Sequence, residues 1–263
     1  MSPTSPFTFM GRALGAYALF HTLDDVTGLK HEVPNQAESL LAPTGGLVKA
    51  TAGKQKHTAH HPRTRTLFSL DGASSSADGR TVGSRYETEV SAEIDSIEFV
   101  EQLRIGLIKV HMLSTFTPAG IGPDKGTKVV TNGTKIEEVW LGNVQAKIEL
   151  DDEPVKHCGT ATEMLGFYPS LTPAPSEDAK APAVYCCSIV RGITLAGPEK
   201  EKAAMTINGY TIVWNGFGKI ILGEVRVSGE KRQLTMVRLA MGSSAGGNGS
   251  AGDVQSNGSM STT

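Results

Sequence analysis

The run Tyr86-Glu87-Thr88-Glu89-Val90-Ser91-Ala92-Glu93-Ile94-Asp95-Ser96 decides the fold class. Tyr86, Thr88, Val90, Ala92, Ile94 and Ser96 alternate with Glu87, Glu89, Ser91, Glu93 and Asp95. A period of two belongs to a strand, whose successive side chains point to opposite faces. A helix would spread the four carboxylates around its circumference among the apolar residues. The segment therefore predicts a half-buried strand with an acidic outer face.

The next segment, Leu103 to Ser114, has Leu103, Ile105 and Leu107 on one face and Ile108, Val110 and Met112 on the other. Two apolar faces predict a central strand; a short helix over 102–112 is the alternative. Downstream, Asn132-Gly133 is a hairpin signal, because both residues tolerate the positive φ of tight turns. Ile136 to Leu150 predicts a strand pair or one long bulged strand, with a break at Gly142-Asn143. Strands are expected at Val184–Leu195, Met205–Trp214, Phe217–Val227 and Gln233–Leu239, with turns at Asn208-Gly209, Asn215-Gly216 and Ser228-Gly229. Upstream, Phe7–His21 and Arg65–Leu70 read as strands, the latter ending in a turn at Asp71-Gly72. A Ser/Ala/Gly/Asp loop follows over Ala73–Gly83. With 30 Gly and 13 Pro in 263 residues, many turns and short strands are expected. The fold class is all-β, a sandwich or jelly-roll-like two-sheet architecture with long loops.

The organisation follows. Residues 1–6 form a flexible lead, and 7–241 a single β domain with irregular excursions at about 24–64 and 151–183. Nearly every residue of 242–263 is small or polar, and such a segment buries little apolar surface against the cost of ordering. A disordered tail is expected there.

Charge and motifs exclude more than they assign. The formal net charge is -2, so no global basic excess steers the chain to nucleic acid. The most apolar stretch, Phe7 to Phe20, carries Arg12 and two Gly, is too short to span a bilayer and makes a poor signal peptide. A local basic run, Lys54, Lys56, His57, His60, His61, Arg63 and Arg65, reads as a solvated loop or a phosphate-binding patch. No Walker loop occurs, and no serine elbow or dinucleotide fingerprint opens a helix. The candidate metal ligands are His57, His60 and His61, or His157 and Cys158 with Cys186 and Cys187; neither set has a zinc-site spacing. Asp71-Gly72 and Asp151-Asp152-Glu153 are too sparse for a calcium loop. Cys158 either bridges to one of the adjacent pair Cys186 and Cys187, which point to opposite faces of a strand, or all three are free thiols. Glu224, in Ile220-Ile221-Leu222-Gly223-Glu224-Val225, and Glu137-Glu138 are the carboxylates to watch for acid–base chemistry, although an inward Glu224 paired with Arg226 or Arg238 is the plainer reading. Trp140, Tyr210, Trp214 and Phe217 form either a sugar-stacking platform or core and turn packing. Asn132, Asn248 and Asn257 match the glycosylation acceptor pattern.

The segment Gly11-Arg12-Ala13-Leu14-Gly15-Ala16-Tyr17-Ala18 resembles the start of the bacterial surface domains called choice-of-anchor P. The acidic strand at 85–98 followed by Ile105 to His111 is similar to that family's paired strands. Thr134 to Leu150, with Leu141-Gly142-Asn143-Val144, resembles its small-Gly-strand element; Met205 to Ile212 and Ile221-Leu222-Gly223-Glu224-Val225 resemble its closing strands. The order of elements covers most of residues 7 to 228. The resemblance implies an exported β domain attached by a variable anchor, and it carries no catalytic residues to transfer.

The functional expectation is a non-enzymatic surface or extracellular module with an interaction or structural role. No catalytic or metal residue and no cofactor is assigned. The expected partner is an unidentified protein or glycan, not nucleic acid, without membrane insertion, and with self-association through edge strands as an open route. Two alternatives stand: a carbohydrate-active or other hydrolytic β-sandwich enzyme, and a phage- or capsid-like structural protein.

Overall fold

The computed structural model describes residues 7–21, 30–59, 64–118, 126–174, 182–229, 231–242 and 246–260. In chain order the strands are β1 Phe7–His21, β2 Lys30–Leu40, β3 Gly46–Ala52, β4 Gln55–Ala59, β5 Arg65–Val82 and β6 Arg85–Phe99. Then follow β7 Leu103–Thr117, β8 Gly126–Val130, β9 Lys135–Leu141 and β10 Val144–Leu150. Two short helices, α1 Glu153–Lys156 and α2 Ala161–Phe167, precede β11 Tyr185–Ser188 and β12 Val190–Ala196. After α3 Glu199–Lys202 come β13 Met205–Asn208, β14 Thr211–Trp214, β15 Gly218–Ser228, β16 Lys231–Met241 and β17 Gly247–Met260.

These strands make two antiparallel sheets packed face to face. The first runs β13-β14-β15-β16-β17-β1-β2, with β11 also on β15. The second runs β12-β10-β9-β7-β6-β5-β3, with β4 on β5 and β8 on β7. The apolar residues of the acidic strand, Val90, Ala92 and Ile94, are buried between the sheets, and its glutamates face out.

The alternation does not hold along whole strands. In β6 the buried set runs Val90, Ala92, Ile94 and then Ile97 and Phe99, a step of three after Ile94. The same step occurs at the same height in the neighbours: Leu70 to Ala73 in β5, Ile105 to Ile108 in β7 and Ile136 to Val139 in β9. The ladder keeps these residues in two straight rows, Leu70–Ile97–Ile105–Val139 and Ala73–Ile94–Ile108–Ile136. The first sheet has its own pair of rows. Leu222–Val237–Ala251–Ala16–Gln36 is one, and Val225–Leu234–Val254–Ala13–Ser39 the other, again a step of three in every strand. Each sheet is thus crossed by a seam, two residues wide, at which β15, β16, β17, β1 and β2 in the first sheet and β5, β6, β7 and β9 in the second change the parity of their core face.

Glycine occupies the seams in β1, β5, β7, β15 and β17, while Ala37 in β2 and Glu138 in β9 take positive φ of 50° and 55° there. Gly223 and Gly252 have φ of 58° and 62°, a left-handed conformation costing an L side chain about 1–2 kcal/mol. The seams also face each other across the sandwich. A Cβ on Gly252 would lie 2.7 Å from Ile108 Cγ2, and one on Gly15 would lie 2.9 Å from Ala73 Cβ.

The seams correct several sequence expectations. Leu103, Ile105, Ile108, Val110 and Met112 all face the core, so β7 has one apolar face rather than two, and 102–112 is strand rather than helix. Asp71-Gly72 is not a turn but the seam position of β5, and the expected loop Ala73–Gly83 is mostly the continuation of that strand, with Ala73, Ser75 and Ala77 buried. Much of the expected excursion at 24–64 is strand, as β2, β3 and β4; residues 22–29 and 60–63 lie outside the described residues. Asn132-Gly133 does not reverse the chain. β8 and β9 both pair antiparallel with β7, end to end along one edge, and the loop steps between them. Gly142-Asn143 does form a hairpin, between β9 and β10.

The largest correction concerns 242–263. Rather than being disordered, it supplies β17, hydrogen-bonded to β16 on one side and β1 on the other. Its small residues suit the place: a Cβ on Gly249 would meet the Tyr17 carbonyl at 3.1 Å and the Phe99 ring at 3.4 Å. Apolar bulk comes from the neighbours, and the backbone groups of β17 are satisfied on both sides. Ala251 and Val254 are fully buried. Residues 243–245 and 261–263 lie outside the described residues.

Gly252→Ala adds a close approach to Ile108 and Met236 to the left-handed strain, and should destabilise by about 3 kcal/mol. Gly229, also left-handed but with open space around it, should cost only about 1 kcal/mol on the same substitution. Urea denaturation of the two variants measures the difference; equal costs would contradict the face-to-face packing of the seams.

Candidate functional site

The outward residues of β3, β5, β6 and β7 form rows across the second sheet. Ladder pairing sets Lys49 beside Ser76, Ser76 beside Ser91, and Ser91 beside His111. The next row is Thr51, Ser74, Glu93 and Lys109. Together with Asn132-Gly133 these residues line an open groove of about 470 Å³. The Thr131–Thr134 loop walls it on the β7 side. Thr134 Oγ1 ties that loop down, accepting from His111 N at 3.1 Å and donating to His111 O at 3.2 Å. Beyond the loop lies a second concavity of about 340 Å³, lined by Thr131–Thr134, Leu150, Asp151, Asp152 and Ile189. Across the seam, Glu98, Gln102, Arg104, Trp140 and Asn143 line a third of about 330 Å³.

Several charges in and around the groove are paired. Lys109 Nζ lies 2.5 Å from Glu93 Oε1, and His111 Nε2 lies 3.0 Å from Glu89 Oε1. Arg80 reaches Asp78, Glu87 and Glu89 within 3.0 Å. The hydrogen bond from His111 holds the Glu89 carboxyl below its ordinary value; burial opposes this and Arg80 adds to it. Ser76 Oγ and Ser91 Oγ share a hydrogen bond of 2.8 Å. His111 Nδ1 is buried without a hydrogen-bond partner among the described residues. The groove is therefore hydroxyl-rich, has cross-strand ion pairs in and beside its wall, and suits hydrogen bonding to a polar ligand better than nucleophilic attack.

The sequence candidates fall largely elsewhere. Glu224 lies in the seam of the first sheet, where the outward row is Glu224–Thr235–Asp253–Leu14–Glu38. Its side chain is buried, and both oxygens accept from Arg238, at 2.6 and 3.0 Å. It is a paired carboxylate, as the plainer reading had it. In the same row Asp253 accepts from Gln233 and Thr235, and burial pushes its carboxyl up. Glu137 and Glu138 lie in the other seam, exposed, with Lys135 3.0 Å from Glu137.

The basic run does not gather. Lys54 pairs with Asp71 at 2.8 Å, and His57 turns inward onto His31 at 3.3 Å and the edge of Phe68. Burial, with His31 beside it, lowers the His57 value, which disfavours its charged form. His60, His61 and Arg63 lie outside the described residues. His157 stacks on Phe167, ring centroids 4.0 Å apart, instead of joining the cysteines. Among the described residues no group of three or more His, Cys, Asp or Glu could hold a metal ion. The aromatics form no common platform: Trp214 stacks on buried Phe217, while Trp140 stands apart with Arg104 5.8 Å over its ring. Asn132 and Asn248 are exposed, and the side chain of Asn257 lies outside the description.

Sequence reasoning missed Ser74, Ser76, Lys109 and His111 as neighbours, and Asp253 altogether. Alternation through Ala73-Ser74-Ser75-Ser76-Ala77 was the available signal for the two serines.

Comparison with known proteins adds little. No family model matches the chain, and no solved structure matches it. A curated relative, APC membrane recruitment protein 2 of Gallus gallus, is 23% identical over 163 residues, covering 60% of this chain and 26% of that protein. The chain thus spans about a quarter of that relative's length. At that identity and coverage the similarity assigns no family. Among the described residues no helix is long and apolar enough to cross a membrane.

Because Glu89 binds its proton less tightly in the folded chain, its stabilisation is complete above the ordinary 4.5 and drains as pH falls through the lowered folded value. Melting temperature should therefore fall more steeply below that pH in the unsubstituted chain than in Glu89→Gln. Parallel curves would show that the His111–Glu89 contact contributes nothing in solution.

Proposed function

We propose that the chain is a non-enzymatic binding module whose ligand face is the outer surface of β5, β6 and β7, and whose ligand is a glycan or similar polyhydroxylated chain. The observation that carries this reading is the groove itself. It is open, set on paired strands, and lined by hydroxyls, an amide and an imidazole, with Glu93 and Lys109 paired and Lys49 on its β3 side. Such a surface offers hydrogen bonds along an extended polar ligand, with apolar patches between them. Trp140 and Arg104 lie further along the same face, in a separate concavity across the seam. The hydrolytic alternative has less support, because Glu224 is held by Arg238 and neither it nor Asp253 lines any of the described cavities.

The likeness of 11–18, 85–98, 105–111, 134–150, 205–212 and 221–225 to choice-of-anchor P domains supports placing the module outside a bacterial cell. An exported glycan-binding domain joins the two readings.

An array of neutral and uronic-acid oligosaccharides probes the reading. At least one class should bind, and Ser91→Leu with His111→Ala should weaken that binding tenfold or more, equivalent to about 1.4 kcal/mol. Glu224→Gln should leave it unchanged. Binding indifferent to the groove substitutions would contradict the proposal, as would turnover of a glycan that disappears with Glu224→Gln.

A further inference from the structure

The fold separates the three cysteines. Cys186 and Cys187 are successive residues of β11, which pairs with β15. Cys187 therefore points into the core and is buried, while Cys186 points out and is half-buried. Cys158 comes from the other direction. It follows α1, is fully buried, and its Sγ lies 3.2 Å from the Pro154 carbonyl and 3.8 Å from Cys187 Sγ. Val155, Met164 and Ile189 are buried in the same core, so the two sulfurs meet in an apolar setting.

We propose that Cys158 and Cys187 are a disulfide-forming pair that fastens the α1–α2 segment to the first sheet. A bond requires the sulfurs to close from 3.8 Å to about 2.05 Å. The oxidant is a small-molecule disulfide, attacked in two exchange steps. Cys158–SH and Cys187–SH together lose two electrons and two protons, one S–S bond forms, and the donor disulfide is cleaved to two thiols. Cys186, on the opposite face of β11, is excluded from the bond.

The surrounding structure gives the link a purpose. Among the described residues, the backbone of the excursion that carries α1 and α2 is tied by Asp151 N to Ile189 O and by Ala174 N to Val184 O, both at 2.7 Å. A covalent tie between Cys158 and Cys187 closes a loop of this segment and restricts the unfolded chain. The hydrogen bond shared with Cys158, together with burial, pushes the Cys187 thiol well above the ordinary value. Thiolate is scarce in the closed core, so exchange proceeds while the segment is still open, during folding. This inference stands independently of the groove.

The test is to refold the complete chain in a buffer of reduced and oxidised glutathione, alkylate the remaining thiols, and map the peptides without reduction. The expected product is lighter by two hydrogens, carries one alkylated cysteine, and joins the Cys158 peptide to the peptide that holds Cys187. Cys186→Ser should keep the link, and Cys187→Ser should lose it. The oxidised chain should melt several degrees above the same chain after reduction. Alkylation of all three cysteines after refolding would overturn the proposal, as would a link that vanishes in Cys186→Ser. The map of the unsubstituted chain gives its answer even if a variant fails to fold.

Discussion

A strand cannot change the parity of its core face alone. If one strand in a paired sheet shifts by a residue, its neighbour either shifts with it or turns its apolar side chains to water. In this molecule nine strands shift together, five in one sheet and four in the other, and each shift keeps both halves of the strand facing the core. The hydrogen-bonded rows on either side of each seam stay in register. Close packing of the two sheets depends on this. Gly252 sits against Ile108 and Gly15 against Ala73, at distances that leave no room for a methyl group.

The seams also dispose of the polar groups. Thr235 and Leu14 are outward residues of the first sheet, yet they are buried in the seam row beside Glu224. A carboxylate there must be paired or neutral, because an unpaired buried charge is costly. Arg238 pairs Glu224, and Gln233 and Thr235 donate to Asp253. In the second sheet the seam separates the serine-lined groove from the concavity at Trp140. The groove lies where alternation is regular, and its rows of Ser, Lys, Glu and His follow directly from ladder register.

What could be read from the sequence, and what could not, follows from the same feature. The acidic strand was legible because its alternation holds from Tyr86 to Ile94 and fails only at Ser96, inside the step that follows. In β7 the step falls mid-segment: Leu103 and Ile105 precede it, Ile108 and Val110 follow, and a strict period of two assigns them to opposite faces. Gly106 was the local sign of the step. Asp71-Gly72 and Asn132-Gly133 carry turn chemistry but sit in a strand and in an in-line step, because the neighbours' pairing prevails over local preference. The groove was hidden because its residues come from four strands, and only register reveals that Ser76, Ser91 and His111 are side by side. Glu224 was visible as a carboxylate to watch, with Arg226 or Arg238 as its partner; the structure pairs it with Arg238, in the outward row rather than inward.

β17 was illegible for a different reason. Composition measures the side chains a segment brings, while this segment is held by backbone pairing on both edges and by the bulk of Phe99, Ile108 and Met236 around it. Its place between β16 and β1 makes it the connection between the two halves of the first sheet, and its Gly252 completes the seam. Native-state hydrogen exchange of the β17 amides tests this most directly. If the strand is central, the amides of Ala251 and Val254 exchange only through global unfolding, with the same free energy as those of Val90 and Ala92 in β6. Exchange at the rate of an unstructured chain, while β6 remains protected, would contradict the account.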